Sequence, residues 1–299
     1  MSLDLFKNKW LVSLTALFCC ALWGISTPIV KLGYEFLDKY DAFTLILWAG
    51  VQFVLAGLII IVFYSIFIKR LVFPERKSIK RIASISLLQT ILQYSLLYIG
   101  LMHTTSVKSA ILKCTDVFFI MLIASLIFRQ EKITATKLIS CIIGFAGIIV
   151  INLNGLTFSV NLLGDGLVLM AIISYSFSAV LIKRYCENEN PITLCGYQMM
   201  IGGAVMTLIG VVFGGTFNFA AMFPIILCLS IAYALAYSLW TVLLKCNSVS
   251  RVSIHSFITP IIGVVSSNVI LSEKSNVSTI NIIIALVLVC IGIIMWSVK

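Results

Sequence analysis

Apolar residues run in long blocks along the whole chain, separated by short breaks rich in charged, polar or turn-forming residues. Each block is about twenty residues, enough to span the ~30 Å hydrocarbon core of a bilayer as a helix. Reading between the breaks gives ten segments: 11–31, 42–68, 82–102, 107–128, 135–153, 162–183, 192–213, 222–244, 251–271 and 279–298. Tyr34 to Asp41, Lys69 to Arg81 and Asn152 to Asn161 are clear loops, whereas the third and fourth segments are parted only by His103, Thr104, Thr105 and Lys108. The pattern predicts an all-α membrane protein with ten transmembrane helices and no soluble domain. Lys7 and Lys9 before the run from Trp10 resemble the start of a signal peptide, but no small-x-small cleavage site follows and the run continues to Val30. A retained first helix is expected.

Composition agrees with this reading: 61% of the 299 residues are hydrophobic, 11% are charged and the mean hydropathy is +1.13. A soluble domain is nearer half apolar and a quarter charged. The net charge of +10 would suggest nucleic acid in a soluble protein. Here the basic residues fall in short loops, where they set orientation instead. With the N-terminus cytoplasmic, sixteen Lys and Arg lie inside, Lys31, Lys39, Lys108 and Lys274 lie outside, and Lys113 lies within a span, accounting for all 21. The bias predicts cytoplasmic N- and C-termini in a cell membrane. The nine cysteines form no C-x-x-C pattern and mostly fall within spans, so neither a disulfide, a metal nor a cofactor is implied.

The two halves resemble each other. Ser106-Val107 corresponds to Ser248-Val249 and Glu131-Lys132 to Glu273-Lys274 at the same offset, and Trp23 to Lys31 parallels Tyr175 to Lys183. Residues 1–153 and 162–299 each hold five spans, an odd number. The second unit must then cross the membrane in the opposite sense. Such an inverted repeat places a binding site near mid-membrane between its halves, with access alternating from one side to the other.

Several segments carry these marks together: "ALWGISTPIVK" (Ala21 to Lys31), "SVKSAILKCTDVFFIMLIASLIFRQEKIT" (Ser106 to Thr134), "GDGLVLMAIISYSFSAVLIKR" (Gly164 to Arg184) and "TPIIGVVSSNVILSEKS" (Thr259 to Ser275). In order and spacing they resemble the drug/metabolite transporter superfamily, in particular its ten-helix EamA-type members. The resemblance covers essentially the whole chain. It implies two five-helix repeats, peripheral fifth and tenth helices, and secondary transport of small organic molecules. One departure stands out. The family's first repeat commonly has a proline matching Pro260, and "TDVFF" here has none, so the resemblance leaves the fourth helix without its usual hinge.

Within the spans, Lys113 and Asp116 are the most informative residues. Ionisable groups at membrane depth are costly and usually face a polar cavity or a partner. At i and i+3 they are expected on one helix face, ~4.5 Å apart along the axis and close to mid-membrane. Three roles compete: a self-neutralising ion pair, a site for a zwitterionic or charged substrate, or proton exchange at Asp116. Polar stripes add Gln89, Gln93, Thr90, Tyr94 and Tyr98 in the third span and Ser230, Tyr233, Tyr237, Trp240 and Thr241 in the eighth. The sixth adds Ser174, Tyr175 and Ser178, the ninth Ser253, Ser256 and Thr259, and the first Trp23, Gly24, Ser26 and Thr27. Pro28 and Pro260 each remove a helix hydrogen bond, freeing the carbonyls of Gly24 and Ser256, and are hinge candidates or static kinks. His255 reads more simply as a structural histidine, and Glu131 and Glu273 as structural caps or loop contacts at span exits. Single Ser and Thr residues commonly bond only their own helix backbone.

The expected function is a secondary transporter of small metabolites, with amino acids or related compounds as candidates and export favoured by the resemblance. The lipid bilayer, a small-molecule substrate and, as one alternative, protons are its expected partners; nucleic acid is not, and the oligomeric state is open. No P-loop motif points to direct use of ATP. A channel-like facilitator is the alternative. An intramembrane enzyme would want H-E-x-x-H or a paired catalytic set, which His103 and His255 do not provide.

Overall fold

A computed structural model describes residues 6, 8–153, 161–271 and 278–297. Among them every regular element is helical. In chain order the spans are α1 (Lys9–Tyr34), α2 (Ala42–Phe67), α3 (Arg76–Leu101), α4 (Lys108–Ile127), α5 (Ala135–Ile151), α6 (Leu162–Tyr185), α7 (Pro191–Val212), α8 (Phe219–Cys246), α9 (Val249–Ile270) and α10 (Thr279–Trp296). Nine are long and apolar enough to cross a bilayer by length and composition, and α5 is the shorter tenth. Its 17 residues reach about 25 Å at 1.5 Å per residue, near the lower limit for a span.

Polar caps start most of these helices. Asp41, Thr134, Asn161, Asn190 and Asn218 each accept from an amide in the first turn of the next span, at 2.9 to 3.3 Å. α2 ends with Lys69 in the left-handed region (φ 56°), its Arg70 amide reaching back to Ser65 O at 3.1 Å. α4 ends the same way through Arg129 (φ 53°) and the bond from Gln130 N to Ala124 O.

Contacts between spans give their relative directions. Along α2 and α7, Leu47 meets Gly210, Gly50 meets Gly203 and Thr207, and Gly57 meets Gly196 and Met200, so numbers rise on one as they fall on the other. α5 and α10 are likewise antiparallel, with Gly147 against Ala285 and Ser140 against Gly292. α1 and α9 run parallel: Cys20 bonds His255 O, and Gly24 packs on Thr259 and Ile262. α3 and α6 are antiparallel, from Ser84 beside Tyr185 to Gly100 beside Gly164. This alternation is that of a chain crossing ten times. Since α2 and α7 hold matching places in the two halves, as do α5 and α10, the second repeat is inverted with respect to the first. α1 begins and α10 ends on one face, here called the basic face because the 69–81 and 129–137 segments lie there.

α1, α3, α6 and α8 extend a few residues beyond the apolar runs, because polar residues such as Lys9, Tyr34 and the stretch from Arg76 continue their helices, while α2, α4, α5 and α10 stop one or two residues short. Two corrections are larger. The fourth span is not one helix: it breaks at Cys114–Thr115. The expected polar face of the third span is split, because Ser86–Leu92 is π-helical. The wider turn rotates Thr90 towards α7, where it donates to Gln198 Oε1 at 2.8 Å. Tyr94 and Tyr98 point elsewhere, onto α2 and α8. The matched Glu273-Lys274 of the second repeat lies outside the described residues.

Candidate functional site

The break in α4 is built without proline. Cys114 and Thr115 both have φ −72° and ψ −9°, so their amides reach three residues back, to Ile111 O at 3.2 Å and Leu112 O at 2.9 Å. The Thr115 hydroxyl donates to Leu112 O at 2.6 Å, which holds the tightened turn. One helix piece ends at Lys113 and the next starts at Asp116. A cation at a helix C-terminus and an acid at an N-terminus are each favoured by the helix dipole. Each side chain is thus supported by its own half-helix, and the two form no ion pair. They also differ in surroundings. Asp116 is buried, with Ser256 Oγ of α9 donating to its Oδ1 at 3.5 Å and Ser176 Oγ of α6 near its backbone oxygen at 3.4 Å. Lys113, by contrast, has an exposed side chain.

Asp116 therefore sits where a span of the first repeat meets two of the second. α1 closes this junction from the other side. Its Gly24 lets Ile262 and Thr259 approach so closely that a Cβ there would lie 2.7 Å from Ile262. The carbonyl of Gly24, freed by Pro28, accepts from Ser266 Oγ at 3.4 Å. α1 itself runs unbroken through Pro28. Pro260, by contrast, follows a 3-10 stretch, Ile254–Phe257, that interrupts α9.

An aromatic wall adjoins the charged pair. Trp23 of α1 meets Tyr237 and Trp240 of α8 edge-on, with ring centroids 5.2 and 5.0 Å apart. Phe53 of α2 lies 4.6 Å from Tyr94 and 5.8 Å from Tyr233. The Tyr94 and Tyr237 hydroxyls are 2.6 Å apart and tie α3 to α8 across the halves. Tyr98 completes the row beside Tyr94. Two buried polar atoms here have no partner among the described residues, the indole nitrogen of Trp23 and Gln93 Oε1. Such groups are costly unless something polar reaches them.

The predicted residues fall into three groups. Asp116 and Ser256 meet at the α4–α9 junction, with Lys113 at the end of the preceding helix piece of α4 and Thr259 on α9 beside Gly24 of α1. Trp23, Tyr94, Tyr98, Tyr233, Tyr237 and Trp240 form the wall, with Gln93 alongside and Tyr175 packed near Trp240 in the same core. Gln89 is buried, and Thr27 is exposed with its hydroxyl donating to the Trp23 carbonyl of its own helix at 3.5 Å. Ser26, Ser178 and Thr241 likewise bond carbonyls of their own helices. His255 is a buried structural histidine, its ring held by Ser13 Oγ and the carbonyls of Arg251 and Val252, all at 3.1 Å. Among the described residues no group of three His, Cys, Asp or Glu is placed to hold a metal.

A profile of the EamA-like transporter family matches residues 10–153 and again 162–298. The chain belongs to the EamA-like transporter family. A relative named as the uncharacterized transporter YvbV of Bacillus subtilis (strain 168) is 26% identical over 281 residues, 90% of this chain and 87% of its own. An uncharacterized transporter of Archaeoglobus fulgidus is 25% identical over 291 residues, covering 91% of this chain and 94% of its own. A solved crystal structure shares the fold, with a TM-score of 0.77 at 13% identity, over 95% of this chain and 97% of that one. The protein is thus a multi-pass membrane transporter of the EamA type.

Sequence reasoning missed the residues that join the halves of this transporter at the basic face. Glu189, between α6 and α7, pairs with Arg81 Nη1 at 2.5 Å and accepts from Ser78 Oγ at 2.6 Å, both on α3. Lys245 donates to Glu189 O at 3.0 Å. Glu131, expected as a cap, accepts from Ser250 N at 3.1 Å at the start of α9 and pairs with Lys137 at 2.9 Å. On the opposite face, Asp165 of α6 accepts from Thr104 and pairs with Lys108 at 3.2 Å. The partners of the Glu189 carboxylate, Ser78 and Arg81, lie more than a hundred residues away in sequence, so no local signal marks them.

Proposed function

We propose that this protein is a secondary transporter of small organic metabolites that works by alternating access between its two five-span units. Substrate binds near mid-membrane, with its polar or charged group at Lys113 and Asp116 and its body against Trp23, Tyr94, Tyr98, Tyr233, Tyr237 and Trp240. The observation that carries this reading is the interruption of α4 between Lys113 and Asp116, where a first-repeat span meets α6 and α9. Discontinuous spans of this kind hold substrate and coupling ions in other transporters. Exchange of a proton at Asp116 would couple transport to the proton gradient. The excess of Lys and Arg on the basic face supports its being cytoplasmic in a cell membrane, which puts both termini inside. Export and amino-acid-like substrates rest on the family resemblance.

A metabolite-library screen on purified protein tests this, comparing thermal stabilisation of the wild type and Asp116→Asn. A compound that stabilises only the wild type, and whose uptake into proteoliposomes is lost in the variant, is the expected result. Ligands that act equally on both proteins would remove Asp116 from the site. Counterflow in the same vesicles separates a carrier, which shows it, from a channel, which does not.

A further inference from the structure

The segment between α2 and α3 has features that orientation alone does not require. Six Lys and Arg fall within residues 69–81 against a single acid, Glu75. Glu75 pairs with Lys77 at 2.8 Å, and Arg81 is taken by Glu189. Lys69, Arg70, Arg76 and Lys80 have no carboxylate partner among the described residues. Interleaved with them are exposed apolar side chains, with Phe67 at 74%, Leu71 at 77% and Phe73 at 74% accessible. The backbone between is pinned. Val72 N donates to Ser65 Oγ at 3.3 Å, and Tyr197 OH donates to Val72 O at 2.7 Å. The strap borders a cleft of about 410 Å³ that Arg70 and Phe73 line from one side and Ser78, Glu189 and Asn190 from the other.

Positive charge near a span sets its orientation wherever it lies in the loop. It does not call for a fixed strap with large apolar groups facing outward between unpaired cations at the level where a helix leaves the bilayer. That combination suits one surroundings: acyl chains against the apolar groups and phosphates against the cations. We propose that the 69–81 strap is a binding site for anionic phospholipid, with the headgroup phosphate held by Lys69, Arg70, Arg76 and Lys80 and the chains resting on Phe67, Leu71 and Phe73. The cleft's far wall is Glu189, whose bonds to Ser78 and Arg81 join the two halves, so a bound lipid lies directly against that contact.

Native mass spectrometry of the purified protein with equimolar phosphatidylglycerol and phosphatidylcholine tests the site. The wild type should retain the anionic lipid at least about fivefold over the zwitterionic one, the preference that roughly one basic residue confers near such a surface. The variant Lys69→Gln/Arg70→Gln/Arg76→Gln/Lys80→Gln should fall to parity, while Lys31→Gln/Lys39→Gln on the opposite face should keep the preference. A second readout needs only one conservative change. In vesicles, Phe73→Trp adds fluorescence that brominated phosphatidylglycerol should quench more than brominated phosphatidylcholine at equal mole fraction. A wild type without preference, a fourfold variant that keeps it, or equal quenching would each overturn the proposal.

Discussion

α4 and α9 occupy matching places in the two repeats, and both lose regular helix at the same depth by different means. At the repeat offset of 142, Lys113 corresponds to His255, Cys114 to Ser256 and Phe118 to Pro260. In α9 a 3-10 stretch, Ile254–Phe257, precedes the proline. In α4 there is no proline, and a threonine hydroxyl bonded to Leu112 O does the equivalent work. Mechanically the repeats are alike, but chemically they are not. His255 is enclosed and bonded through both ring nitrogens, whereas Lys113 is exposed and has no ion pair among the described residues. One copy of the motif keeps the shape, and the other carries the charge. An inverted duplication can thus preserve a symmetric framework while placing the lysine and the carboxylate in one copy only.

The sharpest way to break this comparison is to mutate the matched pair. Lys113→Met should lower transport of a substrate found by the screen by roughly 10- to 100-fold, the range set by losing one charged contact, with little change in melting temperature. His255→Ala should do the reverse: stability falls by about 2 kcal/mol, because Ser13 and a buried void are left behind, while turnover per folded molecule changes less than about twofold. Equal effects on turnover would end the division between a chemical and a structural copy.

Next in size is the contact that joins the repeats at the basic face. Glu189→Gln loses the charge that meets Arg81 and should cost about 2 kcal/mol in thermal unfolding, less at high salt, since Arg81 is a third exposed. Smaller still is Thr115→Leu. Removing the hydroxyl bond lets α4 close towards regular helix, and hydrogen exchange at residues 115–119 should slow several-fold for about 1 kcal/mol. The smallest effect is expected from Pro260→Ala, under about 1 kcal/mol, because the 3-10 stretch before it already departs from helical bonding. If Pro260→Ala straightened α9 and Thr115→Leu left α4 unchanged, the two breaks would not be mechanical equivalents.

Much of the fold was legible because lipid imposes a simple rule on spans, and the loop charges supported the same reading. The aromatic wall was partly legible for a related reason: Tyr233, Tyr237 and Trp240 recur at helical spacing. Phe53 was not, since an apolar ring in an apolar span carries no mark. The break in α4 was hidden because hydropathy records side chains and not which amide meets which carbonyl. The π-helical Ser86–Leu92 was hidden likewise, and it turned Thr90 away from a face it shares by ordinary spacing. The charged pair was found, but its separation into two helix ends depended on that same unseen break.

The glycines between α2 and α7 bear on how such a molecule moves. Gly203 faces Gly50, Gly196 faces Gly57 and Gly210 packs on Leu47, so α7 presents a glycine to α2 at heptad intervals, and a Cβ on Gly203 would come within 2.6 Å of Val54 N. Backbones this close can roll on each other, but parting them would forfeit contacts no side chain can bridge. In the alternating-access scheme proposed above, this seam would serve as the axle, and the gap would open where α4 meets α9.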